Sequence, residues 1–214
     1  MGSGKIVSLN KATDLPNDLK ILARGRGIGI DDFVVTQNGT IYFIDWRTII
    51  GRIDPSGTIK ASVGVDEAVV PTGLALSPDQ SMLVVIDATS RYSWSFQIAP
   101  DGSLVNGEPF YRLEIPETTR ESGQSGVRAV AEDTGGMVYF ATPIGVQVAM
   151  QNGRIVEILN PPIPGGGPLE AMTFAGAANA NWIYVLQDGK LFRRPVKVTG
   201  ANAWTVVKPP KPTL

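Results

Sequence analysis

Four stretches of the chain repeat one another, and this repeat constrains the fold more than any other feature of the sequence. Each stretch is a short apolar strand after a glycine or polar turn: GTIYFID at 39–45, SMLVVID at 81–87, GMVYFAT at 136–142 and NWIYVLQ at 181–187. Their first residues lie 42, 55 and 45 residues apart. A period of about 40–45 residues with several short strands per copy is typical of propeller blades. The sequence therefore predicts an all-β propeller.

Each copy can be laid out as a four-stranded antiparallel blade. The strands predicted for the first blade are FVVT (33–36), TIYFID (40–45), IIGRID (49–54) and TIKASV (58–63). Asn38-Gly39 and Pro55-Ser56-Gly57 lie between them, where tight turns need Gly or Pro. The second blade is predicted over 74–114, the third over 129–159 and the fourth from about 171 onward. A Pro-rich tail at 208–214 follows, because proline cannot pair as a central strand.

The residues before the first blade have the pattern of only half a blade. KIVSLN (5–10) and LKILAR (19–24) resemble a third and an outer strand, and no candidates for two inner strands precede them. Outer strands alone would leave an unpaired edge and an exposed apolar face. We expect one domain over 1–214 with about 4.5 blades. Either it is the C-terminal part of a larger propeller, or another chain completes it, and an open edge would favour self-association.

Composition excludes several kinds of chemistry. The chain has no histidine and no cysteine, which excludes Ser-His-Asp and Cys-His nucleophiles, His-ligated zinc or iron, and disulfides. Lys and Arg number 19 against 20 Asp and Glu, so no basic footprint for nucleic acid or anionic lipid is present. No apolar run reaches the roughly 18 residues of a membrane span, and the first residues lack the apolar region of a signal peptide. We predict a soluble protein without nucleic-acid or membrane partners, and its compartment stays open.

Four segments follow, in order, the strand and turn motifs of one known family. IDDFVVTQNGTIYFIDW (30–46) matches a P-N-D-L segment that ends in Y-F-T-D, and PTGLALSPD within 71–110 matches a P-N-G element that ends in S-P-D. SGVRAVAEDTGGMVYFAT within 125–159 matches a G-x-D-G element, and GKLFRRPVKVTG (189–200) matches the closing strands. On these residues the chain resembles the gluconolactonase and regucalcin (senescence marker protein) family in its bacterial form.

The resemblance implies a fold and an activity. The family's propellers have six blades, so this chain would lack the first blade and the inner half of the second. The implied activity is that of a hydrolase in carbohydrate metabolism, which opens sugar lactones at a calcium or zinc ion in the central channel. Such an ion is held by oxygen ligands and polarises the lactone carbonyl. The implied small-molecule partner is a sugar lactone or the corresponding sugar acid.

The positions that match the family's ligand positions are changed in this chain. Thr72 stands at the Asn of the P-N-G element, and Arg128 replaces the Asp of the G-x-D-G element, which is both a ligand and the proposed general base. Asp31 keeps an oxygen at the Asn of the P-N-D segment, and Glu170 is expected near the channel mouth of the last blade. The metal-ligand candidates are therefore Asp31, Thr72 and Glu170, and the catalytic candidates are Arg128 and Asp31. The glutamate ligand of the family's first blade would be missing.

Arg128 is the residue on which the functional interpretation depends. A guanidinium stays positive and repels a cation about 4 Å away by about 4 kcal/mol at an effective dielectric of about 20. Arg128 could form an ion pair with Asp31 or Asp32 across the channel, or it could bind the carboxylate of a sugar acid bidentately. Two functions stay open: a sugar-lactone hydrolase with a degenerate metal site, and a non-catalytic propeller that binds a sugar acid or a protein partner.

Overall fold

The computed structural model describes residues 5–8, 20–24, 30–45, 50–61, 70–175, 181–202 and 205–211, and β-strands dominate these ranges. The strands are β1 (Lys5–Ser8), β2 (Lys20–Arg24), β3 (Ile30–Val35), β4 (Ile41–Asp45), β5 (Ile50–Ile53), β6 (Ile59–Ala61), β7 (Pro71–Leu76), β8 (Met82–Asp87), β9 (Tyr92–Ile98), β10 (Leu104–Arg112), β11 (Ala129–Glu132), β12 (Val138–Thr142), β13 (Gly145–Ala149), β14 (Ile155–Leu159), β15 (Leu169–Ala175), β16 (Trp182–Gln187) and β17 (Lys190–Pro195). Within these ranges, one 3-10 turn occupies Glu117–Thr119. No helix within the described ranges is long and apolar enough to span a bilayer.

The strands form antiparallel sheets in which sequence neighbours pair. β3–β4–β5–β6, β7–β8–β9–β10 and β11–β12–β13–β14 are four-stranded sheets in chain order. β1 pairs with β2, and β15, β16 and β17 form a further sheet. Because each sheet is a meander that ends before the next begins, the sheets are the blades of a propeller. The predicted all-β propeller of antiparallel blades is therefore confirmed, and β8 has the predicted bounds.

The fourth blade has three strands in the described part of the chain, and the residues after β17 turn toward other blades. The N–H of Ala201 donates to the carbonyl of Glu132 in β11 (2.8 Å), and the N–H of Val207 donates to the carbonyl of Pro78 after β7 (2.8 Å). These backbone groups pair with the second and third blades instead of continuing a sheet edge beside β17. The last residues of the predicted tail, 212–214, lie outside the described residues, as does the whole segment 9–19 that joins β1 to β2.

The blades are held together by strands that are apolar on both faces. In β8, Leu83 and Val85 pack against the first blade, whereas Val84 and Ile86 pack against the third. Successive side chains of a strand point to opposite faces, so one strand supplies both packing surfaces. The cluster between the third and fourth blades is built in the same way around Tyr139 and its neighbours. Burial of each such side chain contributes about 1.5–3 kcal/mol.

Candidate functional site

The first strand of each blade lines a central channel. β3 contacts β7, β7 contacts β11, and β11 contacts β15. Near the beginnings of these strands lies a cavity of about 420 Å³, the Arg128 cavity, and its lining residues are Thr72, Ala88, Gly126, Val127, Arg128 and Glu170. Toward the ends of the same strands lies a cavity of about 220 Å³, the Glu132 cavity, whose wall includes Leu74, Ser77, Val130, Glu132, Thr173 and Phe174. On β7, β11 and β15, the residues that line the Arg128 cavity come earlier in the chain than those that line the Glu132 cavity. The three strands therefore run in the same direction, with one cavity toward each end.

Three of the predicted site residues line one cavity. Thr72 lies in β7, Arg128 directly precedes β11, and Glu170 lies in β15, and all three line the Arg128 cavity. The hydroxyl of Thr72 donates to the carbonyl of Ile86 at 3.3 Å, so its oxygen can still accept a hydrogen bond. Glu170 is exposed. The cavity therefore combines one cationic, one anionic and one hydroxyl side chain from three blades.

Asp31 is the predicted site residue that does not line this cavity. The pairing of β3 with β4 shifts register between Ile30 and Asp32, and Asp31 lies at this irregularity with an exposed side chain. Asp32 instead reaches the second blade: its Oδ2 accepts from the N–H of Leu74 at 2.7 Å, and its Oδ1 accepts from the N–H of Phe33 at 2.8 Å. Burial raises the pKa of Asp32, and these two hydrogen bonds lower it by less, so the pKa is raised overall. Asp32 thus joins β3 to β7, a role that the sequence did not predict.

The guanidinium of Arg128 is available to a ligand. The backbone N–H of Arg128 donates to the carbonyl of Ala141 at 2.9 Å, and its side chain is exposed. Among the described residues, none forms a hydrogen bond or an ion pair with the guanidinium, and this includes Asp31, Asp32 and Glu170. The ion pair with Asp31 or Asp32 that the sequence left open is therefore not formed. As far as the described residues go, all five N–H donors of the guanidinium are left for solvent or a ligand.

The donor set of the Arg128 cavity does not fit a calcium or zinc ion. Glu170 is the only carboxylate among the described residues that line the cavity, and Thr72 adds one hydroxyl. Calcium takes six to eight oxygen ligands, and zinc takes four ligands, usually with histidine or cysteine. Arg128 offers no lone pair and adds a positive charge. In the described ranges, no three acidic side chains lie close enough together to hold a metal ion.

Glu132 is a buried carboxyl that the sequence analysis missed. Its residue is 6% exposed and lines the second cavity. Burial raises the pKa of Glu132 to about 8, and the nearby carboxylates of Asp133 and Asp79 add to this shift. The alternation of side chains along a strand could have identified it, because Arg128, Val130 and Glu132 recur at every second position and all line channel cavities.

Comparisons with known proteins identify the fold. The sequence matches no family model, and it matches no curated protein. Three solved structures are similar to this chain. A gluconolactonase from Xanthomonas campestris is 21% identical with a TM-score of 0.61, over 79% of this chain and 58% of that one. A regucalcin from Agrobacterium tumefaciens, described as calcium-binding, is 14% identical with a TM-score of 0.65, over 88% and 69%. A virginiamycin B lyase from Staphylococcus aureus is 17% identical with a TM-score of 0.55, over 80% and 57%.

These similarities concern the fold. The chain spans less than two thirds of the length of the gluconolactonase and the lyase, at 58% and 57%. At such identities the similarity shows a shared architecture, and that architecture is used by proteins of different chemistry. The activity of this chain must therefore be argued from its own residues. What the comparisons confirm is the predicted resemblance in fold: this chain is a β-propeller similar in architecture to those of a gluconolactonase and a regucalcin.

Proposed function

We propose that the chain binds a small sugar acid in the Arg128 cavity without the help of a metal ion. The observation that carries this proposal is the guanidinium of Arg128, which is unpaired among the described residues and lines a cavity of about 420 Å³. The planar fork of an arginine matches the two oxygens of a carboxylate. A carboxylate in this cavity would supply the negative charge that the described protein residues do not bring to Arg128.

The other polar side chains of the cavity favour a ligand with hydroxyl groups. Glu170 can accept hydrogen bonds from ligand hydroxyls, and the Thr72 oxygen can accept one more. Glu170 would repel a second carboxylate close to it, so the ligand should carry its charge at the Arg128 end. A sugar acid, with one terminal carboxylate and several hydroxyls, has this distribution.

Calorimetric titration with gluconate tests the proposal. Charge-assisted hydrogen bonds contribute about 1.5–3 kcal/mol, so Arg128→Met should weaken binding by about 10-fold to 100-fold. Arg154→Met is the matched control, because Arg154 is exposed, distant in sequence from the cavity residues and without a described ion pair. Sorbitol, which has the hydroxyls without the carboxylate, should bind the unaltered chain more weakly than gluconate. Equal gluconate affinity for Arg128→Met and the unaltered chain would contradict the proposal.

Hydrolysis of a sugar lactone is the second candidate, favoured by the fold shared with a gluconolactonase. The product of this hydrolysis is a sugar acid, so both candidates place a related ligand in the same channel. They differ in metal dependence. Acid release from gluconolactone above the spontaneous rate, dependent on added calcium or zinc, would favour the hydrolase, whereas gluconate binding without turnover would favour the binding function.

A further inference from the structure

The Glu132 cavity contains a buried carboxyl that has no hydrogen-bond or ion-pair partner in the described part of the chain. Glu132 is 6% exposed, and none of the described residues donates a hydrogen bond to its carboxyl or pairs with it. Its backbone carbonyl accepts from Ala201, and Ala201 lines the cavity together with the strands β7, β11 and β15. Buried polar groups in folded proteins are almost always paired, so a carboxyl that borders a cavity and is unpaired among the described residues is a candidate ligand-binding group.

The electrostatics of this cavity favour a positive ligand. No Lys or Arg is among the described residues that line it. The nearby ionisable groups are Asp133 and Asp79, which raise the pKa of Glu132, and Tyr111, whose own pKa is raised by burial and by Glu132. Every one of these neighbours is acidic. Among the described residues that line the cavity or shift the pKa of Glu132, none carries a positive charge that would oppose a cation.

The same residues do not favour a divalent metal. Asp79 accepts hydrogen bonds from the hydroxyls of Ser77 (2.8 Å) and Ser81 (2.7 Å). Asp133 accepts from the hydroxyl of Tyr139 (3.0 Å) and from backbone N–H groups of its own turn. Both carboxylates are thus committed to hairpin turns, and only Glu132 is left to bind a ligand. Because one carboxylate neutralises one positive charge, the cavity suits a monovalent cation better than a divalent metal.

We propose that the Glu132 cavity binds a small organic ammonium ion, with the Glu132 carboxylate as its counter-ion. The Thr173 hydroxyl, which lines the same cavity, can accept one N–H of the ligand, and Phe174 provides an aromatic surface that suits a cation and its methyl groups. The cavity volume of about 220 Å³ limits the ligand to a few heavy atoms. This site lies at the other end of the channel from Arg128 and does not depend on the function proposed for that end.

Ammonium binding must displace a proton. With a pKa of about 8, the carboxyl of Glu132 is mostly protonated at pH 7 in the free protein. It is ionised when it pairs with the cation, so binding releases about one proton at pH 7. The affinity should rise about tenfold between pH 6 and pH 7 and should level off above pH 8. A cation held at the surface by Asp79 would show no such release, because burial raises the pKa of that carboxyl less than the hydrogen bonds from Ser81 and Ser77 lower it.

The test uses methylammonium chloride as the probe and sodium chloride at equal ionic strength as the control. In carbon-13 NMR of the full chain, methylammonium should lower the pKa of Glu132 by about two units or more, and sodium should leave it in place. Glu132→Gln identifies the resonance and should abolish binding, whereas Glu157→Gln, on the exposed side of β14, should leave it intact.

Calorimetry of the unaltered chain in two buffers of different ionisation enthalpy gives a second readout that needs no variant. Release of about one proton per bound methylammonium at pH 7 supports the site. The same Glu132 pKa in methylammonium and in sodium would overturn it, as would binding that releases no proton.

Discussion

At the scale of single residues, the positive charge of Arg128 disfavours a metal ion in the cavity that this residue lines. The side chain lies in the cavity that also holds Glu170 and Thr72, and its charge opposes a cation there. We predict that Arg128→Asp, which replaces this charge with a carboxylate, gains calcium binding. The affinity should rise at least about tenfold over the unaltered chain, since one repulsive charge becomes one attractive charge.

Calorimetric titration with calcium and zinc measures this gain. Arg154→Asp makes the same change of charge on an exposed residue outside the cavity and should bind no more tightly than the unaltered chain. Micromolar binding by the unaltered chain would contradict the argument from repulsion. Absence of binding by both Arg128→Asp and the unaltered chain would show that Glu170 and Thr72 cannot complete a coordination shell.

For Thr72 and Arg128, motif position predicted places on neighbouring strands, and their roles there stay predictions. Thr72 and Arg128 occupy positions of short motifs next to regular strands, and the structure places both on one cavity with Glu170. Asp31 was aligned by the same reasoning, but the register shift in β3 gives it an exposed position away from that cavity. A bulge leaves no clear signal in a single sequence, so side-chain direction beside one is hard to predict. Glu132 was missed because, in a sequence, a single Glu at the end of a strand is usually interpreted as the start of a turn.

At the scale of elements, two buried glutamines tie the connections between blades to the sheets. In β13, Gln147 accepts from the N–H of Glu114 at 2.8 Å and donates to its carbonyl at 2.7 Å. In β16, Gln187 accepts from the N–H of Ile163 at 2.9 Å and donates to its carbonyl at 3.2 Å. In each case a side-chain amide pairs with one residue of the connection that enters the blade. The amide satisfies backbone groups that have no strand partner.

Gln147→Leu should therefore lower the free energy of unfolding by about 1–3 kcal/mol, because it keeps the volume but leaves the Glu114 backbone groups unpaired. Urea denaturation measures this change. Gln97→Leu is the control, since Gln97 is exposed in β9 and its amide oxygen accepts only from the side chain of Asn106 among the described residues. A Gln147→Leu variant as stable as Gln97→Leu would show that water replaces the lost hydrogen bonds.

The strands were easier to predict than the path of the chain after the last strand. Runs such as MLVVID are apolar at every position, and the structure buries both faces of β8 between neighbouring blades. Hairpin turns around Asp and Gly then fixed the order of strands within each blade. The path after β17 could not be predicted in this way, because the bonds of Ala201 to Glu132 and of Val207 to Pro78 join backbone groups, which are the same for every residue type. Backbone pairing of an irregular segment depends on the assembled blades and has no pattern of its own.

At the scale of the whole molecule, the channel is built from residues that several blades contribute. The cavities at its two ends therefore both depend on the assembly of these blades. The Arg128 cavity takes side chains from the second, third and fourth blades, and the Glu132 cavity has a wall in those blades as well. Neither site exists in a single blade. Ligand binding at either end should therefore stabilise the contacts between blades, because it favours the assembled state over the unfolded chain.

The charge of Glu132 makes this assembly sensitive to pH. Folding raises its pKa from the ordinary value of 4.5 to about 8 through burial and the nearby Asp133 and Asp79. Between these values the folded chain holds a proton that the unfolded chain has lost, so the free energy of unfolding falls as pH rises from about 5 to about 8, by up to about 1.4 kcal/mol per pH unit. Urea denaturation across this range measures the slope. Glu132→Gln, which cannot ionise, should remove it, and Glu157→Gln on the exposed part of β14 should retain it. An equal slope in Glu132→Gln and the unaltered chain would mean that another group carries the proton, and that Glu132 is already ionised in the folded channel.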